Sequence, residues 1–206
     1  MNRQLLNKTL SVTGAAIASA LLLPTYAAAH LVTTGMGPVY DGIGHLLLTP
    51  EDLVPALAVS LYAGLRGKDP GRHALFFFPL AWLAGGIAGL LSASALTFSF
   101  SALSFLLLGA LIAADLRLPA QVVSGLIVVV GTIHGFFNGI AMKSGPGISG
   151  LLGIAATLFV VVALVSAVVV SLRPAWTRVA VRVTGSWIAA VGLLMLGWLA
   201  KGNING

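Results

Sequence analysis

Two short polar clusters interrupt the apolar sequence, and each contains a histidine that could bind a metal ion. The first cluster contains Asp41 and His45, and the second contains His134 and Asn138. Each pair is spaced by four residues, so its two side chains would share one face of a helix. Imidazole nitrogens with carboxylate or amide oxygens suit a divalent transition metal, and a carboxylate can hold a ligating histidine in one tautomer. The spacing therefore predicts a mixed nitrogen and oxygen site for such a cation.

Three further residues are candidate ligands near the first cluster. Glu51 and Asp52 follow Pro50, and both acids could also be ordinary charges at a helix N-terminus, where the helix dipole favours them. His30 would become the first residue after cleavage at Ala29, which would offer a metal both an amino and an imidazole nitrogen. We expect Glu51 and Asp52 to form an acidic mouth through which a cation approaches the site.

The two internal histidines have a structural alternative as well as a functional one. An ionisable side chain inside a membrane span usually marks a pathway or a relay, because it is expensive to desolvate. His134 could instead bond a serine or a backbone carbonyl and simply join two helices, and His45 could lie in the hydrated interface. We predict that His45 and His134 meet in the outer half of a helix bundle.

Composition fixes the class of protein that must position these residues. The chain is 58% hydrophobic and only 8% charged, which excludes a soluble globule of this length. The formal net charge is +6, but the Lys and Arg residues lie singly or in pairs beside apolar runs and form no basic stripe, so nucleic acid is not an expected partner. The absence of cysteine excludes disulfides and thiolate metal sites. We predict an all-α, polytopic membrane protein in contact with the lipid bilayer.

The N-terminus resembles a secretory signal peptide. Arg3 and Lys8 precede an apolar run over 10–23, and an Ala-x-Ala site ends at Ala29. We therefore predict a signal peptide over 1–29 and one transmembrane domain over 30–206. An uncleaved first transmembrane helix is the alternative.

Six later apolar segments have the length needed to cross a bilayer, which is about 20 residues for a helix. They cover about 46–65, 74–91, 95–114, 121–142, 148–172 and 179–199. The first is interrupted by Thr49-Pro50-Glu51-Asp52. Because proline with acids beside it favours a helix start, we expect a short or re-entrant helix over 39–48 that packs beside a span beginning near Pro50.

The basic residues indicate orientation, because Lys and Arg concentrate on the cytoplasmic side of membrane proteins. With the mature N-terminus outside, the inner turns hold Arg66, Lys68, Arg72, Arg117, Arg173, Arg178 and Arg182. Lys143 and Lys201 fall outside. Asp41, Glu51 and Asp52 would then also lie on the outer side, where they would attract an arriving cation.

Small residues predict where two spans approach closely. Gly131, Gly135 and Gly139 repeat at intervals of four, so they share one face of the fourth span. We expect a neighbouring helix to pack on that face.

The histidine clusters also resemble a known family. The signal before a histidine, the six apolar spans, the Gly42-Ile43-Gly44-His45 element followed by three leucines, and the element from His134 to Gly139 are similar to the HupE/UreJ membrane proteins. The resemblance implies nickel or cobalt uptake for hydrogenase and urease, and a place in a bacterial inner membrane.

Both family motifs are incomplete in this chain. The family pattern His-Pro-x-x-Gly-x-Asp-His aligns with the stretch from Pro38 to His45, which keeps the glycine and the last histidine but lacks the first histidine and the aspartate. In the second pattern, His-Gly-x-Ala-His-Gly-x-Glu, Asn138 replaces a histidine and Ala141 replaces the glutamate. The resemblance therefore implies a divergent member in which Asp41 could replace the missing aspartate.

These observations favour a permease or channel-like carrier for a divalent transition metal of the nickel, cobalt or copper class. We expect no resident cofactor beyond that metal, and no enzymatic activity. An alternative is an accessory protein that hands a metal to a hydrogenase, urease or oxidase during maturation, without transport. An enzyme using His45, Asp41 and His134 ranks last, because no nucleophile and base stand at a recognisable spacing.

Overall fold

The computed structural model describes residues 33–93, 100–172 and 174–204. All of them belong to the unit Leu31–Gly206, so the predicted signal peptide and His30 lie outside the described residues. Within these ranges the chain forms helices and no strand. The helices are α1 Pro38–Leu48, α2 Pro50–Arg66, α3 Lys68–Leu91, α4 Ser101–Ala113, α5 Ala120–Met142, α6 Gly147–Ser171 and α7 Ala175–Ile204.

Four of these helices, α3, α5, α6 and α7, are long and apolar enough to cross a membrane. The pair α1 and α2 also qualifies if it is counted as one bent span. The third predicted span, 95–114, is described as a helix only over Ser101–Ala113, which is shorter than a bilayer requires. The described chain is therefore a multi-pass membrane protein with four or five spans by length and composition.

The break between α1 and α2 confirms the short helix predicted before Pro50. The two helix axes differ by 75°, and Thr49 between them has an extended backbone with φ −103° and ψ 98°. Proline disfavours helical geometry in the residue before it and donates no backbone hydrogen bond, so α1 must end here and α2 can begin. This corner brings the last turn of α1 over the first turn of α2.

The glycine face of α5 packs against α3, as the spacing of its glycines predicts. A Cβ atom on Gly135 would overlap the carbonyl oxygen of Trp82, and one on Gly139 would overlap that of Gly86. The approach is reciprocal, because a Cβ on Gly85 of α3 would overlap the carbonyl of Thr132. This contact is closer than any side chain would permit, and it fixes the register of α3 on α5.

Similar glycine contacts hold the other elements. Gly42 of α1 lies against the backbone of Gly150 in α6, and a Cβ on Gly153 would overlap the carbonyl of Val39. Gly109 of α4 lies against Ala189 of α7. Helix α1 is thus fixed on α6 although it is too short to cross the membrane.

An ionic cluster joins three elements at the end of the bundle away from Asp52, which we call the basic end. Asp115, with a positive φ of 51°, turns the chain after α4 and receives an ion pair from Arg66 at the end of α2. Arg178 of α7 donates to both oxygens of the same carboxylate, at 2.8 and 3.0 Å. Tyr62 donates to the carbonyl of Leu116 at 2.9 Å. These bonds tie α2 and α7 to the connection between α4 and α5.

Replacing Gly135 by alanine should destabilise the protein, because the added methyl group forces α3 and α5 apart. We expect a loss of about 1–3 kcal/mol in the free energy of unfolding, as for other overpacked cores. Thermal unfolding of the purified protein in detergent measures this. Gly125→Ala is the matched control, because a Cβ there meets nothing within 4 Å. Equal stability of the two variants would contradict the close packing of these helices.

Stability should depend on the ionisation of Asp115. The hydrogen bond from Arg178 lowers the pKa of the Asp115 carboxyl below its ordinary value of 3.8. A lowered carboxyl pKa stabilises the fold above the ordinary value, and this contribution is lost as the pH falls through the lowered one. Asp115→Asn should therefore lower the melting temperature near pH 7, and its difference from the wild type should shrink below about pH 4. Asp69→Asn, which removes an exposed acid, should leave the melting temperature nearly unchanged at both pH values.

Candidate metal site

Asp52 lies at the centre of a buried polar site. Its residue is only 7% exposed, and its two carboxylate oxygens contact histidines from two other helices. Oδ2 lies 3.5 Å from Nε2 of His45 in α1, and Oδ1 lies 3.2 Å from Nδ1 of His134 in α5. The two histidines predicted to meet are thus brought to one carboxylate.

Helix positions explain how these groups converge. The corner at Thr49 turns the last turn of α1 towards the first turn of α2, so His45 and Asp52 face each other across the break. His134 reaches the same point because α5 follows α3 closely along its glycine face. The ring of His134 stacks on Trp82 of α3 with centroids 5.3 Å apart, and Phe100 packs edge-on at 5.8 Å. These rings hold the imidazole in one orientation.

Ser104 of α4 completes a chain of hydrogen bonds through His134. Its Oγ lies 3.0 Å from Nε2 of His134 and donates to the carbonyl of Ser101 at 2.9 Å. Because the hydroxyl hydrogen is used on Ser101, the network assigns the Nε2 hydrogen to His134 as the donor to Ser104. The contact between Nδ1 and Asp52 then contains a further proton, on the ring or on the carboxyl. A metal ion bound at Nδ1 would take the place of this proton.

Asn138 lies one turn beyond His134, on the same face. Its Nδ2 donates to the carbonyl oxygen of His134 at 3.1 Å, and its amide lies near the Asp52 carboxylate. The Asn138 Oδ1 atom is buried without a hydrogen-bond partner among the described residues. A buried oxygen without a partner is costly, so it is a point where a bound cation or a water molecule would be stabilising.

The other predicted ligands are placed differently. The carboxylate of Asp41 accepts hydrogen bonds from the backbone and the hydroxyl of Thr34, at 2.6 and 2.7 Å, and so fixes the start of α1. Asp52, rather than Asp41, supplies the carboxylate that contacts His45. Glu51 is exposed, as expected for a charge at the mouth, and His30 lies outside the described residues.

Sequence reasoning named Asp52 together with Glu51 as a further candidate ligand and an entry charge, without distinguishing the two acids, and it did not single out Ser104. Adjacent residues of a helix point about 100° apart, so only one of the two acids can face the bundle, but this spacing does not show which one. Ser104 offers no comparable signal, since a serine on an apolar helix often bonds its own backbone.

Each histidine–carboxylate distance is one that two neighbouring ligands of an ion also show. Two donors that each lie about 2.1 Å from a metal at a tetrahedral or octahedral angle are about 3.0–3.4 Å apart. The contacts of Asp52 with His134 and His45, 3.2 and 3.5 Å, lie in or close to this range. However, no group of three or more His, Cys, Asp or Glu residues among the described residues is arranged so that it could hold a metal ion. What the described residues show is two histidine–carboxylate contacts on Asp52.

The order Ser104, His134 and Asp52 also resembles that of a catalytic triad, with the serine at Nε2 and the acid at Nδ1. Two observations oppose that chemistry. Ser104 is completely buried, and its hydroxyl hydrogen is directed to Ser101 rather than to the imidazole. The Ser104 hydroxyl would have to turn from the carbonyl of Ser101 to the imidazole before His134 could accept its proton.

Comparison with protein families decides the relationship. The family model described as HupE / UreJ protein matches residues 18–195. The chain belongs to the HupE / UreJ family. The resemblance inferred from the two histidine elements is thereby confirmed, and both elements, with Asp52 and Ser104 between them, lie within the matched range. No curated protein and no solved structure matches the chain.

Asp52→Asn should destabilise the protein and Glu51→Gln should not. Asn lacks the second carboxylate oxygen, so at least one of the contacts with His45 and His134 is lost, and leaving a buried polar group without its partner typically costs about 1–3 kcal/mol. Glu51 is exposed, so removing its charge should change the free energy of unfolding by no more than about 0.5 kcal/mol. Thermal unfolding in the absence of metal measures both. Equal melting temperatures for the two neighbouring variants would show that the contacts of Asp52 with the histidines contribute little.

Proposed function

We propose that this member of the HupE / UreJ family is a membrane permease for a divalent transition metal ion. The observation that carries the proposal is the buried Asp52 carboxylate between His45 and His134. The nickel, cobalt and copper class of ions matches this donor set, because imidazole and carboxylate are both ligands for such cations. His45, His134 and Asp52 are the proposed ligands, and Asn138 is the proposed additional oxygen donor.

The cost of this arrangement supports a role with a cation. Taking a carboxylate out of water costs several kcal/mol even after relaxation, and an apolar residue in its place would avoid the cost. Two imidazoles around the carboxylate offset part of the penalty. The unpartnered oxygen of Asn138 adds a further cost. A cation that passes through the site would stabilise all of these groups at once.

An incomplete coordination sphere suits transport better than storage. The family's second histidine and glutamate in α5 are replaced by Asn138 and Ala141 in this chain, and conduction requires that bound ions can also leave. We propose that water molecules complete the sphere while the ion is in transit. Selectivity would then differ from that of members with a full histidine motif.

The distribution of charge gives the proposed direction of approach. Glu51 is exposed close to Asp52, so a cation approaching the corner between α1 and α2 meets negative charge first. The basic end exposes Lys68, Arg72 and Arg178, whose positive charges repel a cation. With the rule that positive residues face the cytoplasm, we propose an inner-membrane protein with the acidic mouth and the mature N-terminus outside.

Two other functions make different predictions. An accessory protein for the maturation of a hydrogenase, urease or oxidase would bind metal in the same site without net flux across vesicles. A hydrolase using Ser104 would react with a fluorophosphonate probe, and we expect no labelling of Ser104 because the serine is buried and its proton is bonded to Ser101. Labelling that disappears in Ser104→Ala would favour the enzyme.

His134→Ala should abolish metal binding and uptake, and His73→Ala should not. Both histidines contact a serine of another helix. His134 Nε2 lies 3.0 Å from Ser104 Oγ, and His73 Nδ1 lies 2.9 Å from Ser124 Oγ. Of these two histidines, only His134 contacts Asp52. Loss of a residue that only supports a metal ligand weakens metal binding about 10- to 100-fold. Loss of His134, a proposed ligand, should weaken metal binding by more than that. Elemental analysis and uptake of nickel or cobalt into vesicles containing each variant measure the effect.

The two variants separate the proposal from a general effect of histidine loss. Unchanged uptake in folded His134→Ala would remove His134 from the pathway. Equal losses in both variants would show that the effect is structural. Stoichiometric binding without flux in the wild type would favour the accessory function over transport.

Asn138→His tests whether the side chain at position 138 faces the bound ion. The substitution restores the second histidine of the family motif, and its ring would lie one turn from His134 on the same helix face. We expect tighter metal binding, measured by titration calorimetry. Weaker or unchanged affinity would mean that position 138 does not face the ion.

A further inference from the structure

A cavity of about 210 Å³ opens between α3 and α6 at the basic end. Its walls are mostly apolar and include Leu75 of α3 and Val162, Ala163 and Val170 of α6. It is separate from the site around Asp52, since none of its lining residues contacts that carboxylate. A groove of this kind on a membrane protein would be filled by lipid or by another apolar group.

Two cations border this apolar groove. Lys68 and Arg72 line it and are exposed. Among the described residues no acidic group pairs with Lys68, and Arg72 contacts Asp69 only at 3.8 Å with both side chains largely exposed. Such an exposed pair contributes little, so both cations remain able to bind an anion.

A second cavity of about 300 Å³ continues the groove, and both are lined by Lys68 and Val170. Arg178 also lines the second cavity, but its guanidinium is bonded to Asp115. The anion-binding capacity is therefore concentrated at Lys68 and Arg72, on the first turns of α3. The positive end of the helix dipole adds to the potential there.

The positive charge argues against a path for the transported cation, which would be repelled. The apolar walls argue against a small hydrophilic anion as the sole occupant, because such an anion would leave most of the groove unfilled. A ligand with one negative group and a long apolar tail would pair with the two cations and also fill the apolar part of the groove. In a membrane, that description fits an anionic phospholipid.

We propose that the groove between α3 and α6 is a binding site for an anionic phospholipid. An acyl chain lies against Leu75, Ala163 and Val170, and the phosphate binds Lys68 and Arg72. The aliphatic stems of the two cations extend along the apolar wall while their charged groups reach the headgroup region. This site is independent of the metal site, and either proposal can fail without the other.

The test is native mass spectrometry of the full chain in detergent, titrated with phosphatidylglycerol or phosphatidylethanolamine. We expect the wild type to retain phosphatidylglycerol preferentially. The double variant Lys68→Gln, Arg72→Gln should bind it on the order of tenfold more weakly, because each basic residue near a membrane surface contributes to the attraction of anionic lipid. The control is Lys143→Gln, Lys201→Gln, which removes the same charge outside the basic end and should leave binding unchanged.

A second variant tests the apolar part with both cations intact. Ala163→Leu fills the groove and should also weaken phosphatidylglycerol binding, although the charge is unchanged. The proposal is overturned if both lipids bind equally to the wild type, if the two double variants lose binding equally, or if Ala163→Leu binds as the wild type does. It is also overturned if inorganic phosphate displaces the lipid completely, because that would make the site one for a free anion.

Discussion

The burial of the Asp52 carboxyl group inside an apolar bundle is the constraint on which the site depends. A carboxylate at this depth needs partners that carry or share positive charge, and the chain supplies them from α1 and α5. His134 is in turn held by Ser104 on one side and by aromatic rings on the other. Four helices therefore contribute to one polar cluster, and moving any of them would remove contacts that stabilise the buried Asp52 carboxyl group.

Close backbone packing makes this convergence possible. The glycines of α5 allow α3 to approach until Trp82 stacks on His134, while the corner before Pro50 brings His45 above Asp52. A long side chain at Gly135 would break the first arrangement, and a continuous helix through Thr49 would break the second. The basic end is held separately, through Asp115 and the arginines around it. The polar groups at the two ends thus have different tasks: one set forms a site, and the other joins helices.

Much of this was predictable from the chain, because the relevant signals are local. Apolar segment length predicted the long helices, Pro50 predicted the break, and glycines at intervals of four predicted the face on which α3 packs. The partner of the histidines was harder to identify. Glu51 and Asp52 are adjacent and chemically alike, so only the rotation of α2 against α5 decides which acid is buried. Asp41 shares a helix face with His45 by spacing, but its bonds to Thr34 hold it at the start of α1. Ser104 joins the cluster through tertiary packing that no sequence spacing records.

X-ray absorption spectroscopy of the nickel- or cobalt-loaded protein tests the central claim most directly, because it reports the atoms bound to the ion. The account predicts scattering from two imidazole rings together with oxygen ligands in the wild type, and from one ring after His45→Ala or His134→Ala. It also predicts an unchanged spectrum for His73→Ala. A spectrum with oxygen ligands alone, or one that neither substitution alters, would contradict a metal site formed by His45, Asp52 and His134.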